Sequence, residues 1–343
     1  MPPEESWLLA LADPDGTPNS LPGIRLELSQ VARLCELAHA HGVLPAVLEQ
    51  LDHLVKEQPG RLLASGDFAN DLDSILKVAR ECHNKRAAMC LFFVAETRRL
   101  MRELSAGGVQ VIALKGADFA ARLYSRPALR LFGDIDLLIR REDRRHSDSA
   151  MKQLGYQALP GRMKYASGYA EVQYQHPDMP GATVEIHDNL VNSPTIRRGV
   201  SVCLNDLPLE SGARGYLQAS PAGLLVIAVV HGAASHGFDK LQHLCDIAQA
   251  ARERAGAIEE SALRECLERT GAGFCLAVGL DLASRAFDDQ AGTRWLERLN
   301  PPGPRWLAQW LVTPQTVVEA RGPRRWSRSY RRQILRHLLK IRR

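Results

Sequence analysis

The spacing of apolar residues divides the chain into three textures. In the first hundred residues they recur at intervals of three and four, as in "LSQVARLCELAHAHGVLPAVLEQLDHLV", which predicts amphipathic helices broken at Gly42 and Pro45. "NDLDSILKVARECHNKRAAMCLFFVAETRRLMRELSAGG" keeps that period as one long helix or two, stopped by Gly107 and Gly108. From Val109 the pattern changes. "VQVIALKG" and "IDLLI" read as short strands, "ADFAARLYS" and "EDRRHSDSAMKQLGY" as helices, and "YAEVQYQHP" and "ATVEIHDNL" alternate like paired strands around the turn "DMPG". Beyond Pro221 the helical spacing returns, until "NPPGP" interrupts it at residues 300–304. The expected fold class is α+β, a mixed β-sheet core with helices, flanked by helical regions. The expected boundaries are 1–106 for the N-terminal helical region, 107–215 for the core, and 216–343 for the C-terminal helical region with its basic tail.

Composition changes this picture little. At 343 residues, 45% hydrophobic and 24% charged, the chain has the make-up of an ordinary globular protein. No stretch approaches the roughly 20 consecutive apolar residues of a membrane span, and the start lacks a basic segment, so a cytoplasmic protein is expected. The seven cysteines are scattered without a CxxC pair, which reads as buried thiols rather than a disulfide frame or a zinc site. Charge is more informative. Residues 321–343 hold ten Arg or Lys and no acid, so the net charge of +5 belongs to the tail and residues 1–320 carry a net −5.

The candidate chemistry lies in "LFGDIDLLI", residues 131–139. In a strand, residues two apart share a face, so Asp134 and Asp136 project together while Ile135 and Leu137 pack the other way. Adjacent carboxylates repel unless a cation bridges them, and hard oxygen ligands favour Mg²⁺ or Mn²⁺. "NDLDSIL" contains the same spacing at Asp71 and Asp73, but there it falls in a helical pattern, where residues two apart diverge by about 200°. That pair reads as solvated surface. A third acid, Glu185 in "TVEIHDNL", points opposite to Val184 and Ile186, and faces the same cluster if its strand neighbours that of Asp134. Upstream, "ALKGADFAARLY" runs from a strand through Lys115-Gly116 into a helix, a place where free backbone N–H groups and a lysine meet phosphate.

The set Lys115-Gly116, Gly133-Asp134-Ile135-Asp136 and Glu185 resembles the nucleotidyltransferase superfamily with the polymerase-beta-like fold. More closely, "LKGADFAARLYSRPALRLFGDIDLLI", "LGY" and "VEIH" resemble a bacterial branch known as uncharacterised nucleotidyltransferases. The resemblance spans roughly residues 30–250, with the sharp motifs between 113 and 187. It implies that Asp134, Asp136 and Glu185 are catalytic and hold Mg²⁺ or Mn²⁺. It also implies that Lys115 and Gly116 line the triphosphate of a nucleoside triphosphate, which donates a nucleoside monophosphate to an acceptor; Gly133 and Arg130 are further candidates to bind that nucleotide. Two positions depart from the superfamily pattern: Ala117 stands where a serine is usual, and the interval from Gly116 to Asp134 is longer.

Other residues carry two readings each. Arg130 either binds phosphate or pairs with the acid cluster. His187 shares the face of Glu185, as a substrate-orienting group or a structural one. His231, His236 and Asp246 are candidates to line the cleft; metal binding by the two histidines is not expected, because positions five apart do not stack on an α-helix. The tail, with Trp326, Tyr330, Ile334, Leu338 and Ile341 at helical spacing, either docks on the acidic body or contacts nucleic acid. The sequence does not identify the acceptor: a small molecule, a peptide and a protein all stay open, and nucleic acid only through the basic tail. The alternatives to nucleotidyl transfer are a non-catalytic nucleotide- or partner-binding module and a phosphotransferase using the same site.

Overall fold

Where the sequence alternates with period two, the computed structural model forms a five-stranded sheet in the order β1-β2-β5-β4-β3. It describes residues 1–16, 21–64, 69–160, 167–179, 181–212, 215–301, 305–319 and 326–341. The strands are β1 (Val111–Ala113), β2 (Asp134–Ile139), β3 (Gln157–Ala158), β4 (Glu171–Gln175) and β5 (Thr183–His187). β2 and β5 are parallel, and the other pairings are antiparallel, so the sheet is mixed. β4 and β5 form the hairpin that their alternation predicts.

The two faces of the sheet have different neighbours. Val111, Ile135, Leu137, Ile139, Tyr174, Val184 and Ile186 share an apolar cluster with Leu100 and Leu104 of the long helix Ala69–Ala106 and with Met151 of the helix Arg144–Gln153. Burying a side chain of that size contributes about 1.5–3 kcal/mol, so this face secures the sheet. On the opposite face Ile112 and Leu138 join a larger cluster. That cluster contains Trp7, Leu34 and Leu51 from the N-terminal helices together with Leu224, Leu244 and Leu276 from the C-terminal ones. Helices from both ends of the chain thus share one core against the face that carries the acidic residues.

Asp71 and Asp73 are both exposed on the long helix, where the helical spacing points them apart. The tail forms a helix, Trp326–Leu338; its Leu335, and Leu339 just beyond it, are buried in the larger core. Arg332 donates from Nε to the Gly237 carbonyl at 2.9 Å and from Nη2 to the Phe238 carbonyl at 3.1 Å. Tyr330 is exposed. Among the described residues no helix is long and apolar enough to cross a membrane.

Candidate active site

The parallel pairing of β2 with β5 sets Asp136 directly beside Glu185, with Asp134 beside Thr183 on the same face. The antiparallel pairing of β5 with β4 then sets Gln173 beside Glu185 and Glu171 beside His187. Three strands therefore present Asp134, Asp136, Glu185, His187, Glu171 and Gln173 on one face. The sequence-predicted acids converge, and Glu171 and Gln173 join them.

Charges of both signs meet here. Lys115 Nζ lies 2.8 Å from Asp136 Oδ1, and His187 Nε2 lies 3.1 Å from the same oxygen and 3.5 Å from Glu185 Oε2. Gln173 Nε2 donates to Glu171 Oε1 and Glu185 Oε1, both at 2.9 Å, and Asn192 Nδ2 donates to Glu171 Oε2 at 2.7 Å. Burial opposes a charge on Lys115, but Asp136, Asp134 and Glu185 outweigh it and hold the ammonium protonated. Burial likewise opposes a charge on His187, yet its hydrogen bonds to Asp136 and Glu185 raise its pKa to about 9. The charge of Asp136, assisted by burial, pushes Asp134 up. For Glu185 burial is outweighed by the bond from His187, and the carboxyl is held below its usual range. Glu171 is pushed up, chiefly by burial.

Asp136, Glu185 and His187 offer ligand atoms that all lie within 4.8 Å of one another. Asp136 Oδ2 is buried and accepts no hydrogen bond. A buried carboxylate oxygen without a donor costs about 1–3 kcal/mol or more, and a hard divalent cation is the partner that the two adjacent carboxylates, Asp136 and Glu185, suit. These residues fit such an ion.

Lys115 begins the helix Lys115–Arg122, but Gly116 interrupts it with φ +43° and ψ −114°. A Cβ there would meet Phe132 only at 3.4 Å, so it is the backbone conformation, rather than space, that calls for glycine. The Leu114 N–H donates to the Asp136 carbonyl at 2.9 Å and ties this turn to β2.

Arg130 does not reach the acid cluster as an ion-pair partner. Its Nε and Nη2 donate to Asp246 Oδ1 and Oδ2 at 2.7 and 2.9 Å, and Tyr124 Oη donates to Oδ1 at 2.7 Å. Asp246 is only 1% exposed, so the expectation that it lines the cleft is corrected: it is a buried anchor for Arg130. The remaining Arg130 nitrogen, Nη1, lies 3.4 Å from the Gly116 carbonyl.

Two cavities meet over the sheet and share Lys115, Asp134, His231 and His236. One, of about 440 Å³, also takes in Gly116, Arg130, Gly133, Arg86 and Lys240, and is strongly cationic. The other, of about 350 Å³, reaches Tyr169, Glu171, Glu185, His187, Asn192 and Arg336 of the tail. His231 and His236 therefore do line the cleft.

Sequence reasoning passed over Glu171, Gln173, Arg86, Lys240 and His243. The alternation in "YAEVQYQ" was a usable signal for the first two, since hairpin pairing with "TVEIH" puts them on the Glu185 face. Nothing local marks the others.

No curated protein matches the chain. A family model does, over residues 28–288, which include the five strands of the sheet, His231 and His236. The chain belongs to that family, described as uncharacterised nucleotidyltransferases.

Proposed function

We propose that this chain transfers a nucleoside monophosphate from a nucleoside triphosphate to an acceptor hydroxyl or phosphate, releasing pyrophosphate. The observation that carries the reading is the in-register pairing of Asp136 with Glu185 on parallel strands, with Asp134 on the same face, at the rim of a cationic cavity. Asp134, Asp136 and Glu185 would hold Mg²⁺ or Mn²⁺, with His187 beside them. The cation would neutralise charge on the transferring phosphoryl group and on the departing pyrophosphate.

The chain's own groups divide the remaining work. Lys115, Arg130, Arg86 and Lys240 face the cavity of about 440 Å³, a size suited to a small-molecule ligand. Their charges match a triphosphate. The turn at Gly116 and the open backbone at Gly133 let its oxygens approach the main chain. The acceptor enters from the second cavity, next to Glu185. Its oxygen attacks the α-phosphorus in line; that P–O bond forms as the bond to the β-phosphate bridging oxygen breaks. The acceptor's proton passes to Glu185, which its hydrogen bonds keep ionised and which Gln173 orients.

The test is label transfer. The chain is incubated with Mg²⁺ and acceptor fractions, and with NTP labelled at either the α- or the γ-phosphate. Acceptor labelled only from the α-position supports the proposal. Label arriving only from the γ-position identifies a phosphotransferase, and label from neither position points to a binding module.

A further inference from the structure

Three histidines from two separate elements converge on the cleft wall formed by the C-terminal helices. After the helix Pro221–Val230 the chain does not continue as an α-helix but forms a π-helical turn, His231–Ser235. In an α-helix positions five apart point about 140° from each other. The five-residue closure of a π-turn brings them back together, and the rings of His231 and His236 stand with centroids 4.5 Å apart. The premise that positions five apart do not stack, which holds for an α-helix, fails at this turn. His243, from the first turn of the helix Leu241–Ala251, completes the group, with ring centroids 5.2 Å from His231 and 4.7 Å from His236.

One nitrogen from each ring falls in a set whose members all lie within 4.8 Å of one another. His243 is 5% exposed, and its Nδ1 accepts and donates no hydrogen bond. Asp239 Oδ1 lies 3.6 Å from His236 Nδ1 and 3.7 Å from His243 Nδ1. The chain holds this arrangement against strain: Gly237 and Phe238 both have φ of +55°, and Phe238 is not a glycine.

We propose that His231, His236 and His243 bind a Zn²⁺-class divalent cation, with the Asp239 carboxylate beside it. Three imidazoles with room for a further ligand are the donor set of open zinc sites. Nitrogen donors favour zinc and later first-row ions, whereas the carboxylates of β2 and β5 favour Mg²⁺ or Mn²⁺. The two adjoining cavities thus take in two cation sites of different chemistry. This assignment goes beyond nucleotidyl transfer and does not depend on it.

Cobalt(II) tests it, because a nitrogen-bound Co²⁺ of low coordination number absorbs strongly in the visible. The full chain is stripped with chelator and titrated with Co²⁺ in excess Mg²⁺, which occupies the oxygen site. The expected result is an intense visible band that saturates at one cobalt per chain and is bleached by Zn²⁺. The band persists in Asp136→Asn/Glu185→Gln. In His236→Ala the affinity falls at least about 10-fold. The His236 side chain is 37% exposed, and thermal unfolding of the stripped variant checks that its removal leaves the fold intact. No band, a band indifferent to His236→Ala, or a band abolished by Asp136→Asn/Glu185→Gln overturns the site.

Discussion

Replacing Arg130 with methionine tests how the wall of the proposed nucleotide cavity is held. Arg130 is 4% exposed and Asp246 1%, and their bidentate contact is the main countercharge available to either. Without the guanidinium, Asp246 keeps, among the described residues, the side-chain bond from Tyr124. Removing one partner of a buried pair costs about 3–5 kcal/mol. Neutralising an ordinary aspartate at pH 7 costs about 4 kcal/mol, which caps the loss near that figure. Urea unfolding at pH 7 should therefore show Arg130→Met less stable by about 3–4 kcal/mol, with an unchanged m-value. Asp246→Asn, which preserves an acceptor for Tyr124, should lose a similar amount. The double variant should lose less than the two losses together, by a coupling of about 3 kcal/mol. Arg130→Lys should rescue poorly, because an ammonium cannot fork across both oxygens. A loss below about 1 kcal/mol for Arg130→Met, or strictly additive losses in the double variant, would refute the reasoning.

Asp136→Asn should reduce nucleotidyl transfer about 10³-fold or more in kcat, reflecting several kcal/mol of lost transition-state stabilisation, whereas Asp71→Asn, with the same local spacing on an exposed helix, should leave the rate unchanged. Gly116→Ala forces a side chain into a left-handed backbone, and should lower stability by about 1–2 kcal/mol in denaturant titrations while weakening NTP binding. His187 gives a pH signature in chelator-treated protein. Its folded pKa of about 9 exceeds the ordinary value of 6.5, so its contribution is complete below pH 6.5 and is lost as pH rises through 9. That loss amounts to about 3 kcal/mol. His187→Gln should flatten the stability profile across that window, and a profile unchanged by the substitution would contradict the assignment.

The legible parts of the molecule are those governed by local period. "DIDLLI" announced a strand with two acids on one face, while "NDLDSIL" announced a helix with the same acids apart; both readings follow from side-chain direction, and the chain obeys them. Glu185 needed one further step, the adjacency of its strand to β2, which the parallel pairing supplies. The partner of Arg130 was beyond reach, because Asp246 lies 116 residues away and only the packing of the C-terminal helices brings it near. The histidine group was hidden for a different reason. Periodicity assumes 3.6 residues per turn, and the chain departs from that value in the π-turn beginning at His231.

The central claim is that the aspartates of β2 bind nucleotide through a divalent cation. Calorimetric titration with a non-hydrolysable ATP or GTP analogue, with and without Mg²⁺, tests it on wild type and on Asp134→Ala/Asp136→Ala. The account predicts Mg²⁺-dependent binding by wild type that disappears in the double variant. Absent binding, or binding indifferent both to Mg²⁺ and to the two aspartates, would contradict it.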